Sequence, residues 1–303
     1  MRSGQISAGR RRRWTVAATT ALVFSLAMAG ASASPSFSAQ DPADLTRLLQ
    51  RSGSYVRNFQ RAFAEVVGTE RYQQTARRTV MMRATRMRQL ESEVFFTIIG
   101  DEGTSMTIRN VTRVDGRRVP DSHDRVMRAL NSSRTDRTES LRALSLEGAR
   151  FNIGNVGRTF NDPTLALMFF APGMQSRFEF TTDGSERIDG VLTRRVRFSE
   201  TVRPSLIRDD RDDLDTAVSG VAHIAEDGRI LRTDLTVVIG TRTSARIRVK
   251  YKRDDNVDML VPLSMDEDYR NDDGPGRGVS LIGCTASYSD YQRFQTSIRI
   301  LPG

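Results

Sequence analysis

From residue 41 onward the apolar positions first recur at helical spacing. Leu45, Leu48, Leu49, Val56, Phe59, Phe63, Val66 and Val67 fall on one stripe with polar residues between them, the pattern of a helix that buries one face. Asp41 stands at the N-cap and Pro42 at the first helical position, where a missing N–H costs nothing. Gly68 stops the run. The spacing predicts a helix over 42–67, about 39 Å long at 1.5 Å per residue, with Gly53 weakening its middle.

The period then shifts to two. Strand signals begin after Gln74, with a mixed, Met-rich stretch at 79–86 and the apolar run 93–99. Residues 106–114 alternate and end at Asp115-Gly116, so 93–114 reads as a hairpin. Residues 120–148 return to helical spacing in two pieces, one carrying Val126, Met127 and Leu130, the other Leu141, Leu144 and Leu146. Asp162-Pro163 then caps a short apolar helix over 164–170, stopped by Pro172-Gly173. From residue 175 the pattern is strand after strand: 177–182, 191–199, 219–225, 230–239, 244–252, 259–269 and 279–289, with 294–300 closing the series. Asp-Gly turns at 183–184, 189–190 and 227–228 separate several of them, as in an antiparallel meander. In 244–252, Ala245, Ile247, Val249 and Tyr251 point one way while Arg246, Arg248, Lys250 and Lys252 point the other, so one face is packed and one is wet. No repeat period stands out.

The first forty residues differ in kind. Arg10 to Arg13 form a basic segment. An apolar run from Thr15 to about Ala29 follows, then Ala31-Ser32-Ala33. These are the three regions of a secretory signal peptide. The run is shorter and richer in small residues than a membrane span, which needs roughly 20 apolar residues. We expect a signal peptide over 1–33 cut after Ala33, a linker over 34–40, and a single β-rich domain over 41–303 with a helical insert at about 120–172. The expected location is periplasmic or extracellular, with no transmembrane span after cleavage.

This changes the reading of charge. Five of the arginines and none of the acids lie in residues 1–33, so cleavage removes more than half of the +9 net charge. The remaining cations, all arginine except Lys250 and Lys252, are interleaved with acids rather than clustered, and nucleic acid is not an expected partner. Cys284 is the only cysteine, so no internal disulfide is available to this exported chain. It lies in an apolar strand with no cation beside it in sequence, which predicts a buried, inert thiol. With His123 and His223 far apart and one thiol, no zinc site is expected, and no cofactor-binding motif occurs. The sequence has no G-x-S-x-G elbow; His123 sits among capping residues, and His223 sits in a strand. The run Asp209-Asp210-Arg211-Asp212-Asp213 lacks the spacing of a calcium loop and reads as solvated. The glycine-rich stretch 274–278 opens no helix and reads as a hairpin turn.

The elements compose an α+β fold, mainly β. A curved antiparallel sheet or incomplete barrel of about ten strands carries the long N-terminal helix and the short central helices on its concave face. In this layout the chain resembles the outer-membrane lipoprotein carrier superfamily (LolA/LolB-like), through the helix 41–67, the apolar lid-like segment 163–170 and the hairpin 223–232. The resemblance implies a half-barrel whose helical lid covers acyl chains. Leu165, Leu167, Met168, Phe169 and Phe170 would then be the ligand-binding residues, with Met81, Met82, Met87 and Met174 as an adaptable lining. Three readings follow. The first is a non-enzymatic carrier of a lipid or lipidated protein. The second is an envelope structural component meeting an acidic protein or lipid headgroups through Arg246, Arg248 and Lys250. The third is a hydrolase working with paired carboxylates.

Overall fold

Antiparallel pairing organises most of the described chain on either side of the segment 119–177. The computed structural model describes residues 42–64, 66–79, 85–99, 104–130, 132, 134–154, 158, 161–208 and 216–293; the expected signal peptide, the linker, Asp41, the aspartate run at 209–213, Met81, Met82 and the closing strand 294–300 lie outside them. Helix α1 spans Pro42–Phe63. Strands β1 (Val66–Arg78), β2 (Arg86–Ile99), β3 (Thr104–Val114) and β4 (Arg117–Arg118) follow. Then come α2 (Ser122–Leu130), α3 (Arg134–Ala149) and α4 (Leu165–Met168). Seven more strands complete the fold: β5 (Phe178–Ile188), β6 (Val191–Glu200), β7 (Thr216–Ala225), β8 (Ile230–Ile239), β9 (Thr243–Asp254), β10 (Met259–Asp272) and β11 (Val279–Arg293).

All eleven strands form one open, curved sheet in the order β4-β3-β2-β1-β11-β10-β9-β8-β7-β6-β5. Each block is a meander, with Asp-Gly turns at 115–116, 189–190 and 227–228 between successive strands; the expected turn at 183–184 is instead an irregularity inside β5, where the register with β6 shifts. The two blocks join where β1 pairs with β11. This puts β4 at one edge and β5 at the other, so residues 119–177 must cross the full width of the sheet to connect them.

The predicted helix is too long by four residues. Val66 and Val67 belong to β1, a strand the sequence hides. Its inward positions include Glu70 and Gln74, both buried, so it shows no apolar alternation. Gly68 is a strand residue rather than a helix stop: a Cβ there would lie 2.7 Å from the ring of Tyr291, and its absence lets that ring pack on the backbone.

The main core lies on one face of the sheet. Leu48, Val56, Phe59 and Phe63 of α1 pack there against inward residues such as Val94 and Phe96 of β2, Ile247 and Val249 of β9, and Tyr288 of β11, with Phe63 stacked on Phe96 at 3.8 Å between ring centres. The central helices do not all share this face. Val126, Ala129, Leu141 and Leu144 of α2 and α3 form a separate cluster with Ile108, against which Phe95 packs. Phe95 is opposite Ile108 and alternates with Val94 and Phe96, so α2 and α3 cover the other face of the sheet near its β3 edge. Only the later part of the insert, with α4, lies against the main core.

Candidate functional site

The connection from α3 to β5 forms a strap over the inner face, and its two halves differ in chemistry. The distal half is apolar. Asp162 sets it in place: one carboxylate oxygen accepts from the Thr164 backbone N–H at 2.6 Å and from its hydroxyl at 2.7 Å, while the other accepts from the Thr107 N–H of β3 at 3.2 Å. The Pro163 carbonyl accepts from Tyr251 of β9 at 2.6 Å. Leu165 to Phe170 follow. Leu167, Phe169 and Phe170 are buried, and Leu165 and Met168 are half-buried. Phe169 stacks on Phe178 at 4.8 Å, and Phe170 meets Phe198 edge-on at 5.7 Å. Gln60 of α1 donates to the Met168 sulfur at 2.9 Å, and Gln175 donates to Phe170 O and Leu49 O. The five sequence-predicted ligand residues thus fall in one short run against the main core, a plug in which Phe169 and Phe170 meet β5 and β6 and Met168 meets α1. Of the expected methionine lining, Met87 does not join them: it is 71% exposed and, opposite Thr75, points to the outer face.

The proximal half of the strap is polar, and no sequence motif announced it. Register aligns Gln74 of β1, Cys284 of β11 and Glu267 of β10 in one row across three strands, with Tyr72 and Tyr269 beside them. Arg158, only 2% exposed, descends onto this row from the strap. Its guanidinium donates to Tyr72 Oη at 3.1 Å, Cys284 Sγ at 2.7 Å, Gln74 Oε1 at 2.6 Å and Ile153 O at 3.0 Å, and it lies over the Tyr269 ring. Gln74 Oε1 also accepts from the Ile153 N–H at 3.0 Å. Next to this cluster Arg109 of β3 grips Glu70 with two hydrogen bonds and lies over the Tyr72 ring at 5.2 Å. Asn161 joins the two groups, within reach of both Arg109 and Tyr72.

Two buried arginines therefore face two buried glutamates, but unequally. Glu70 has its own partner. Glu267 accepts from Tyr269 through one oxygen, and its other oxygen and Arg158 Nε make no hydrogen bond among the described residues. Burial raises the Glu267 pKa, opposed by the Tyr269 hydrogen bond and by Arg109 and Arg158. Burial likewise pushes the Cys284 thiol up to about 11, reinforced by Glu267 and opposed by Arg158. The thiol is buried as expected, but it does have a cationic neighbour, one supplied from 126 residues away in the chain. Desolvation outweighs that cation, and the protonated thiol is a hydrogen-bond acceptor rather than a nucleophile. Glu267 is the one member with a sequence signal, a lone acid at a core position of β10 between Met265 and Tyr269. Arg158 sits in a loop, where no periodicity marks burial.

Part of the charge on the outer face is paired within it. Arg246 makes two hydrogen bonds to Asp234, and Arg248 binds Asp268 at 3.0 Å, so these two of the three cations assigned to an acidic partner have carboxylates on adjacent strands. His223 lies on this face, beneath Arg232 at 2.8 Å and near Glu186 at 3.5 Å. Burial and then Arg232 lower its pKa to about 4, against the pull of Glu186. His123 lies in α2. Among the described residues no His, Cys, Asp and Glu group could hold a metal ion, and no helix is long and apolar enough to cross a membrane.

No protein-family model and no curated protein matches the chain. Among solved structures, it is similar in layout to a DUF1329 family protein from Desulfovibrio piger (10% identity, TM-score 0.35, covering 84% of this chain and 95% of that one). It is also similar to a putative outer membrane lipoprotein-sorting protein domain from Vibrio parahaemolyticus (13% identity, TM-score 0.30, 82% and 94%). A third is a LolA superfamily protein from Nitrosomonas europaea (8% identity, TM-score 0.29, 85% and 97%).

Proposed function

We propose that the protein is an exported, non-enzymatic binding module that carries an apolar ligand, a lipid or a lipidated protein, in the cell envelope. The observation that supports this is the plug. Residues 165–170 place Phe169 and Phe170 against Phe178 and Phe198, and bury Leu167, with only a four-residue helix of their own. They join the sheet through side chains and single hydrogen bonds rather than through a strand ladder. A segment held this way can leave while the sheet stays intact, and the seat it vacates is lined by the aromatic rings of β5 and β6. An acyl chain would replace Leu165, Leu167, Met168, Phe169 and Phe170 there with little change in buried apolar area. The polar cluster around Arg158 holds the other end of the strap and would act as its hinge.

Because Phe169 and Phe170 are buried, replacing them mixes binding with stability, at about 3–5 kcal/mol for each phenylalanine truncated. The test is therefore native mass spectrometry of protein purified from the envelope, followed by denaturing extraction. A near-stoichiometric acyl species is the expected result. Protein that is free of ligand, and that takes up no added fatty acid or phospholipid, would overturn the carrier reading and leave the plug as core.

A further inference from the structure

At the edge of the sheet opposite the plug, the tight β3–β4 hairpin and the start of the strap enclose a groove of about 660 Å³. The hairpin turns on Asp115 and Gly116, both with positive φ (49° and 78°), as a two-residue turn of this kind requires. That turn brings Arg117 and Arg118 to the groove, and the strap adds Arg150; Arg88 of β2 completes the set. Arg88 is anchored, donating to Phe151 O at 3.1 Å with Asp115 3.7 Å from its Nε. Arg150 lies over the Phe151 ring at 5.1 Å and reaches Glu147 at 3.0 Å. Arg117 and Arg118 are exposed, with no carboxylate among the described residues at ion-pairing distance. This contrasts with the outer face, where Arg246 and Arg248 are both paired. Leu146, 64% exposed, stands one helical turn ahead of Arg150. Phe151 and Val119 give the groove an apolar side.

We propose that this groove docks the protein on the surface of an anionic phospholipid bilayer, with the guanidinium groups on lipid phosphates and Leu146 entering the headgroup layer. Guanidinium groups match phosphate oxygens in pairs of hydrogen bonds. Arg117 and Arg118, flanked by the anchored Arg88 and Arg150 along a partly apolar groove, suit an array of headgroups rather than one small anion. The inference stands apart from the carrier reading, since it concerns the opposite edge of the sheet and needs no movement of the plug.

The test is co-sedimentation of the full chain with phosphatidylglycerol vesicles and with phosphatidylcholine vesicles. It compares the unaltered protein, Arg117→Ala/Arg118→Ala, and the control Arg195→Ala/Arg197→Ala. The control removes the same charge from two arginines of β6 that pair with Asp183 of β5. All three proteins share the same N-terminal segment, so differences among them report the groove. The expected result is binding to the anionic vesicles only, weakened about thirty-fold in the Arg117/Arg118 variant at about 1 kcal/mol per basic residue near an anionic surface. The control should bind within a few-fold of the unaltered protein, and high salt should release all three. Equal loss in control and groove variant would reduce the effect to net charge and overturn the proposal. So would equal binding by all three, or displacement from vesicles by millimolar inorganic phosphate alone, which would mark a small-anion site. Retention of an acyl ligand by the groove variant in mass spectrometry keeps this outcome separate from that of the carrier reading.

Discussion

Replacing Arg158 by Met tests whether the polar cluster holds the strap. Met keeps much of the volume and removes the charge. The side chain makes four hydrogen bonds. Two of its acceptors keep other partners, since Gln74 Oε1 still receives the Ile153 N–H and Tyr72 still faces Asn161. Cys284 Sγ and Ile153 O lose their donor, and Glu267 loses a nearby cation. Hydrogen bonds to charged groups contribute about 1.5–3 kcal/mol each, and stripping one partner from a buried ionic arrangement costs about 3–5 kcal/mol. We expect a loss of about 3–5 kcal/mol, or roughly 6–20 °C in melting temperature for a domain of this size. The pH dependence identifies the cause. Glu267 has a folded-state pKa raised by burial, so the folded protein binds the proton more tightly than the unfolded chain. Its stability contribution is then greatest below the unfolded pKa and falls as pH rises through the folded pKa. Without Arg158 that pKa rises further, so the deficit of Arg158→Met should be smaller near pH 4, where only the lost hydrogen bonds count, and grow toward pH 8. Adding Glu267→Gln should recover a large part of the loss at the higher pH. Thermal melts followed by circular dichroism across this range measure both effects, and faster labelling of the Cys284 thiol reports opening of the strap. A loss below about 1 kcal/mol, or one that is independent of pH and unaffected by Glu267→Gln, would refute the role given to the cluster.

Two further outcomes follow from single positions. His223 holds a folded pKa near 4 against an ordinary 6.5, so the unfolded chain takes up its proton first as pH falls. The associated stability, about 3 kcal/mol, is complete above about pH 6.5 and is lost by about pH 4; urea unfolding at the two ends of this window measures it, and His223→Gln should flatten it. Gly220 lies in β7 with Phe198 packed across it; a Cβ would stand 2.2 Å from Asp234 O and 2.5 Å from the Phe198 ring. Gly220→Ala should therefore cost about 1–3 kcal/mol by overpacking, seen as a lower urea midpoint at unchanged slope, and a neutral result would mean that β7 and β8 can part without cost.

Several elements were fixed by the sequence alone because their free energies are local. The alternation of 244–252 placed Ala245, Ile247, Val249 and Tyr251 inward, and they are buried; the strand Ile230–Ile239 was bounded by turn residues, and its observed limits agree. The prolines framed the apolar segment 165–170, but the helix is shorter than expected, Leu165–Met168, with Thr164 at its N-cap and Asp162 holding Thr164 in a turn rather than capping the helix. Tertiary structure decided the rest. The pairing of β1 with β11 joins Thr75 to Gly283 across 208 residues, and no local pattern encodes such a partner. That pairing made β1 a strand in spite of Glu70 and Gln74, because these side chains find Arg109 and Arg158 only after distant segments have met. It also sent β4 and β5 to opposite edges, which obliged the insert to cross the sheet. The crossing carries Arg158 into the interior and seats Phe169 and Phe170 against Phe198. Periodicity reports which face a residue prefers within its own element; whether a polar residue can be buried depends on partners contributed by other elements, and those exist only in the folded chain.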